Sequence, residues 1–240
     1  MNKSSSGYEA IILAGGLGTR LRDVIGQVPK AMAPVNDKPF LYFLLQYLHQ
    51  QGVRRIVFSL GFKNEIIREW LAEEQPDFEI DWVVEETPLG TGGGIRLALQ
   101  ACKSEQVFVF NGDTMFMVDL NAFSKMHETK NAETSLALKP MLHAERYGTV
   151  KINEEFQIAS FEEKAFAKQG LINGGIYLIN RLQFLEYSLP DIFSFETDYL
   201  QQYVGQGLFY GFVSNAYFID IGIPQDYNQA QTDFQQLFPL

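Results

Sequence analysis

Three glycines, Gly15, Gly16 and Gly18, follow an apolar run in the string ILAGGLGTRLRDVIGQVPKAMAPV, which spans residues 12–35. Arg20 comes two residues later, and Lys30 sits behind a proline. Glycines after a strand let backbone N–H groups approach a polyanion such as a triphosphate with no side chain in the way. Arg20 adds a forked cation that can grip phosphate oxygens in pairs, and Lys30 adds a compact point charge. Two familiar phosphate loops do not fit the spacing. The dinucleotide fingerprint wants a third glycine where Leu21 stands, and the P-loop wants a Lys–Ser/Thr pair that does not follow Gly18.

Two aspartates occupy positions suited to a hard cation. FVFNGDTMF puts Asp113 just past an apolar run and beside Gly112, and YFIDIGIP puts Asp220 in a similar place late in the chain. Two carboxylates together with phosphate oxygens make the oxygen shell that Mg²⁺ takes, although a Gly–Asp pair alone also makes an ordinary turn. EETPLGTGGGIRLAL begins with acids, turns through Pro88 and Gly90, and enters a helix. It reads either as a plain loop-to-helix junction or as a loop whose Glu86 and Gly90 meet a nucleobase edge. His49, His127 and His143 show no ligand spacing, and no CxxC pair or Ser–His–Asp arrangement can be argued.

The elements that must position these residues alternate through the first half. EAIILA, RRIVFSLG, FEIDWVVE and QVFVFNGD read as strands. Between them, PFLYFLLQYLHQQG, KNEIIREWLAEE and GGIRLALQAC read as helices, the first closed by Gly52. That alternation predicts an α/β fold, Rossmann-like, with a mostly parallel sheet flanked by helices. From about residue 134 the pattern changes: TSLALK, YGTVKI, QIASFEEK and INGGIYLIN are strand-like with fewer helices between. A mixed or antiparallel extension of the sheet is expected there, followed by a closing helix that starts at Pro224. One domain over 1–240 is expected, with halves at about 8–133 and 134–240 and no further C-terminal domain.

Composition narrows the partners. The chain has 240 residues, of which 46% are hydrophobic, enough for a sizeable core. A net charge of −10 argues against nucleic acid or an anionic membrane as the main partner, yet leaves room for a small polyanion held by local cations. The longest apolar stretch, FLYFLLQYL, is too short to cross a bilayer. MNKSSSGYE lacks the apolar centre of a secretory signal. The single cysteine, Cys102, rules out an internal disulfide and reads as a packing residue in a reducing cytoplasm.

GGLGTRLR, PKAMAPV and KPF together resemble the signature of the sugar-phosphate nucleotidyltransferases, and similarity to that family extends from about Glu9 to Ala230. The resemblance implies a nucleotide-diphospho-sugar transferase fold and a reaction that joins a nucleoside triphosphate to a sugar 1-phosphate and releases pyrophosphate. It implies that Arg20 and Lys30 are catalytic, Arg20 on the departing pyrophosphate and Lys30 near the phosphorus under attack. The nucleotide is then expected against Leu13, Ala14, Gly15, Gly16, Gly18, Thr19, Glu86, Gly90, Thr91 and Gly112. Asp113 and Asp220 match the family's metal-binding aspartates, with Mg²⁺ the expected ion.

On the sugar side, the resemblance implies contacts from Tyr147, Gly148, Glu162, Lys164, Asn173 and Gly175, with Lys164 on the phosphate of the sugar. The whole string is most similar to members that use GTP and a heptose 1-phosphate. Members using mannose 1-phosphate with GTP, or N-acetylmuramate 1-phosphate with UTP, come next. The attacking sugar phosphate is already anionic at neutral pH, so no protein general base is required. A nicotinamide oxidoreductase would leave Asp113, Lys164 and Asp220 unexplained. A non-catalytic sensor of sugar nucleotides would be marked by replacement of Asp113, Asp220 or Lys30, and none is replaced. The expected state is a cytoplasmic monomer or small homo-oligomer.

Overall fold

The computed structural model describes residues 7–16, 21–26, 28–142, 144–162 and 169–239. β1 (Tyr8–Ala14) leads into Gly15 and Gly16; a single helical turn α1 (Arg22–Ile25) and a 3-10 turn at Lys30–Met32 come later. β2 (Pro34–Val35) and β3 (Lys38–Pro39) form a small hairpin. α2 (Phe40–Gln50), β4 (Val53–Leu60), α3 (Asn64–Glu74), β5 (Glu79–Val84), α4 (Gly90–Ala101) and β6 (Gln106–Asn111) complete the expected alternation. Gly52 stops α2 with φ +85°, a backbone region that side chains disfavour, and its N–H bonds to His49 O at 3.1 Å.

The second half runs β7 (Thr114–Phe116), α5 (Leu120–Thr129), β8 (Thr134–Leu142), β9 (Thr149–Ile152), β10 (Ile158–Glu162) and β11 (Gln169–Asn180). It continues with α6 (Arg181–Glu186), a π-helical turn at Phe195–Leu200, α7 (Gln201–Tyr203), β12 (Phe209–Val213), β13 (Phe218–Asp220) and α8 (Pro224–Leu237). Pro224 opens α8 at its first turn, as its fixed φ favours. α5 and the π-helical turn go beyond what the sequence pattern announced. α5 starts on Asp119, whose Oδ1 accepts from Ala122 N at 2.9 Å.

β5, β4, β1 and β6 lie side by side and parallel, and β11 joins β6 antiparallel. β8, β9, β10 and β12 extend the same nine-stranded sheet around β11, giving the mixed extension expected from residue 134 onward. The order matters for function. The chain leaves β1 toward β4 on one side and returns to β6 on the other, so a crevice opens at the carboxyl ends of β1 and β6.

Successive side chains of β1 feed opposite faces of the sheet. Ile12 belongs to a core with Phe40 and Phe43 of α2, Phe58, Phe110 and Phe234 of α8. Ile11 belongs to a second core with Val57, Val109, Ile95 and Leu99 of α4, Tyr177 and Phe195. Helices therefore clamp the sheet from both sides and hold the strand ends in fixed relation. Cys102 is buried and donates to Ala98 O at 3.3 Å, and burial pushes its thiol up to about 12, which suits a packing role.

Candidate functional site

A cavity of about 660 Å³ fills the crevice between the ends of β1 and β6. Leu13, Ala14, Gly15, Gly16, Glu86, Gly90, Thr91 and Gly112 all line it, together with Lys30 and Asp113. Gly112 N donates to Leu13 O at 2.9 Å, and a Cβ on Gly112 would come within 2.7 Å of that same oxygen. Only glycine lets β6 turn this close to β1. Gly18, Thr19 and Arg20 lie outside the described residues, as do Lys164 and His143.

The loop entering α4 forms the far wall. Glu85 Oε2 accepts from Leu89 N at 2.9 Å and Oε1 from Ser59 Oγ at 3.4 Å, so an internal carboxylate shapes the turn. Gly90 has φ +74°, and a Cβ there would sit 2.5 Å from Phe193 O. Gly94 would bring a Cβ within 2.7 Å of Glu85 Oε1. Glycines in a helix cost roughly 1 kcal/mol each relative to alanine, and here they permit close approach of the wall segments. Thr91 Oγ1 donates to Glu196 Oε2 at 2.6 Å and accepts from Phe195 N at 2.9 Å.

Sequence reasoning singled out Glu86 and passed over its neighbour Glu85, which lines the cavity along with Ser59 and Asn111. Ser59 carried a usable signal, a hydroxyl near the carboxyl end of β4 within the run IVFSL, and the fold buries it. Glu196 carried none, because Thr91 and Tyr177 reach it only in the fold.

The two aspartates meet across a short antiparallel pair. β7 and β13 pair with Asp220 opposite Thr114, and Ile221 N donates to Asp113 O at 3.1 Å. Lys30 Nζ donates to Asp113 Oδ2 at 2.8 Å. Asp220 Oδ1 accepts from Gly222 N at 2.8 Å. Burial pushes the Asp220 carboxyl up to about 6, and the charge of Asp113 pushes the same way, against the Gly222 N–H and Lys30. Two carboxylates whose charges oppose each other in a half-enclosed site form a donor set that a hard divalent cation relieves. Among the described residues no third acid, histidine or cysteine joins them, so further oxygen ligands would come from phosphate and water.

On the other half, β11 is bent where its neighbours change. Its residues 176–180 pair with β6 and residues 171–172 with β9, and its register with β8 shifts between Asn173 and Tyr177. At that break Asn173 Oδ1 accepts from Gly175 N at 3.1 Å, and Gly175 takes φ +71°. Asn173 N donates to Gly148 O at 2.9 Å, which ties the Tyr147–Gly148 turn to β11.

Tyr147 and Asp220 line a second hollow of about 430 Å³ beside Arg146 and Asp226. Arg146 Nη2 donates to Asp226 Oδ2 at 2.7 Å and to the Tyr147 hydroxyl at 3.1 Å. Burial first, then Asp220, holds the Tyr147 phenol up at about 12, so it stays a donor. Glu162 ends β10 facing outward, 3.5 Å from Lys151, and lines neither cavity.

Gly15, Gly16, Lys30 and Asp113 gathered at the switch point of an open α/β sheet, with Asp220 next to Asp113, make a cleft of the kind in which α/β proteins bind nucleotides. Comparison with known proteins gives that class its family. Residues 9–236 match the family described as nucleotidyl transferase, and the chain belongs to it. Relatives include the D-glycero-α-D-manno-heptose 1-phosphate guanylyltransferase of Aneurinibacillus thermoaerophilus, 46% identical over 95% of this chain and 98% of the relative. The protein of the same name from Campylobacter jejuni is 46% identical over 91% of this chain and 96% of its own. The crystal structure of HddC from Yersinia pseudotuberculosis complexed with GMP-PN superposes with a TM-score of 0.85 at 39% identity, covering 95% of this chain and 99% of that one. The architecture is the nucleotide-diphospho-sugar transferase fold that the family resemblance implied.

Proposed function

We propose that this chain transfers a guanylyl group from GTP to D-glycero-α-D-manno-heptose 1-phosphate, giving GDP-heptose and pyrophosphate. Identity of 46% across nearly the full length of a heptose 1-phosphate guanylyltransferase carries the reading. The cavity between the ends of β1 and β6 supports it by supplying a place for the triphosphate. The product would be an activated sugar for bacterial surface glycan precursors.

The sugar phosphate oxygen attacks the α-phosphorus in line, the bond to the β-phosphate breaks, and pyrophosphate departs. Backbone N–H groups at Gly15, Gly16 and Gly18, with Arg20, receive the leaving group. Lys30 stabilises charge at the reacting phosphorus, and Asp113 orients it through their 2.8 Å contact. Glu86, Gly90 and Thr91 face the nucleobase. Lys164 holds the nucleophile, while Tyr147, Gly148, Asn173 and Gly175 surround the sugar; Glu162, which faces outward beside Lys151, is left out of this set. Asp113 and Asp220 would hold Mg²⁺, which would supply charge that screens the two anionic substrates from each other. Catalysis rests on positioning and charge neutralisation, with no general base.

We read residues 1–240 as one domain with a nucleotide half and a sugar half, because a single nine-stranded sheet draws strands from both. We further propose a cytoplasmic monomer or small homo-oligomer; among the described residues no helix is long and apolar enough to cross a membrane. A panel of four nucleoside triphosphates against heptose, mannose and N-acetylmuramate 1-phosphates tests the assignment. Pyrophosphate should appear from GTP with the heptose phosphate and only in the presence of Mg²⁺. Preferred turnover of any other pair overturns it.

A further inference from the structure

Thr91 stands in the nucleotide cavity and Asn173 at the bend of β11, and one carboxylate connects them. Thr91 Oγ1 and Ser194 Oγ donate to Glu196 Oε2 at 2.6 and 3.0 Å. From the other direction, Asn173 Nδ2 donates to the Tyr177 hydroxyl at 2.7 Å, and that hydroxyl donates to Glu196 Oε1 at 3.5 Å. A phenol has one proton. By accepting from Asn173, the Tyr177 oxygen keeps that proton for Glu196.

The polarity of the chain is therefore fixed from both ends. Thr91 also accepts the Phe195 N–H, which leaves its own proton for Glu196. Asn173 Oδ1 is committed to Gly175 N, which fixes its amide orientation. Tyr177 is only 1% exposed, so water does not compete at the middle link. Glu196 rides on the π-helical turn, and the segment before it is anchored to the start of α4 by Gly92 N donating to Phe193 O at 3.0 Å. Such widened turns recur where a side chain must be aimed.

We propose that Glu196 is a positioning residue that couples the nucleotide wall to the sugar-facing strand, so that each substrate binds more tightly when the other is present. The proposal rests on the substrate assignment above. Coupling of this kind is reciprocal and is commonly about 5–150-fold. A carboxylate accepts on both oxygens. An amide at the same place turns a donor either toward the Tyr177 proton or toward those of Thr91 and Ser194, and breaks the chain on that side.

Calorimetric titration tests this in the wild type, Glu196→Gln and Tyr177→Phe, using heptose 1-phosphate alone, α,β-methylene GTP alone, and the sugar phosphate over saturating analogue. In the wild type the analogue should tighten the sugar phosphate by about tenfold. In both variants that factor should fall below about twofold, while each ligand alone keeps its affinity within about threefold. Tyr177→Phe deletes one oxygen from a packed ring, so it answers the question should Glu196→Gln not fold. Absence of coupling in the wild type overturns the proposal. So does full coupling in either variant, or a large loss of either ligand bound alone, which would make Glu196 a direct contact. Pyrophosphate release by the same wild-type preparation separates the two readings. With normal turnover and unaltered coupling only this proposal falls, whereas absent turnover removes the substrate assignment and this proposal with it.

Discussion

Lys30 Nζ lies 2.8 Å from Asp113 Oδ2, so a cation from the 3-10 turn and a carboxylate 83 residues later meet on the cavity wall. The pair joins the 3-10 turn at Lys30–Met32 to the turn after β6, and both residues line the crevice. Lys30 belongs to a short turn at the surface of the core, so its loss leaves the sheet intact. Lys30→Ala and Asp113→Ala should each lower kcat on the order of 10²–10³-fold or more, the scale of losing one preorganised charge contact. Far-ultraviolet circular dichroism should be unchanged. Near-normal turnover in either variant contradicts the assignment, and steady-state pyrophosphate release decides it.

Asp220 leads to a prediction about the metal. Its carboxyl is raised by burial and by Asp113, a repulsion that a divalent ion between them would remove. In the proposed site, Asp220→Asn removes one of two carboxylates offered to the ion and the charge that goes with it. The Mg²⁺ concentration giving half-maximal rate should rise by about 10–100-fold, and chelation should stop pyrophosphate release in the wild type without unfolding it. A magnesium titration of the initial rate reads this directly. An unchanged magnesium requirement would remove Asp220 from the ligand set.

Local chemistry explains which parts were legible in the sequence. β1, α2, β4, α3, β5 and β6 each carry their own periodicity and end signals, and Gly52 and Pro224 mark boundaries by backbone preference alone. The glycine string and the two Gly- or strand-flanked aspartates were readable because they combine unusual residues at fixed spacing. Glu85 and Glu196 were not, since their meaning arises only when the loop before α4 meets Ser59 of β4 and the π-helical turn meets Thr91. Asp113 and Asp220 were separately visible. Their adjacency depends on the antiparallel pairing of β7 with β13, strands of only three residues each, too short to show a period.

Gly16 and Gly90 line the same cavity for different reasons, and alanine separates them. A Cβ on Gly16 meets nothing within 4 Å, whereas on Gly90 it would strike Phe193 O at 2.5 Å in a backbone with φ +74°. Gly16→Ala should leave stability within about 0.5 kcal/mol, yet raise the GTP KM or lower kcat by roughly tenfold or more by intruding on the phosphate path. Gly90→Ala should cost about 1–3 kcal/mol of stability and also weaken GTP. Chemical denaturation beside GTP kinetics checks both. Loss of stability without loss of activity in Gly16→Ala would reverse the reading of the turn.

His127 gives a pH dependence remote from the site. It is buried on α5, with Nδ1 2.8 Å from Ser135 Oγ, and among the described residues Nε2 meets no partner. Burial lowers its pKa from the ordinary 6.5 to about 4, because a second proton would place a charged N–H where nothing accepts it. Between those values the unfolded chain binds a proton that the folded chain refuses. Stability from this residue is therefore complete above pH 6.5, declines as pH falls, and stops declining below about pH 4. The full difference is about 3 kcal/mol, at 1.36 kcal/mol per unit. In His127→Gln that slope should vanish, so the stability gap between wild type and variant should shrink from pH 7 toward pH 4. Urea denaturation of both proteins across that range measures it, and a gap independent of pH would show that His127 is not held neutral by the fold.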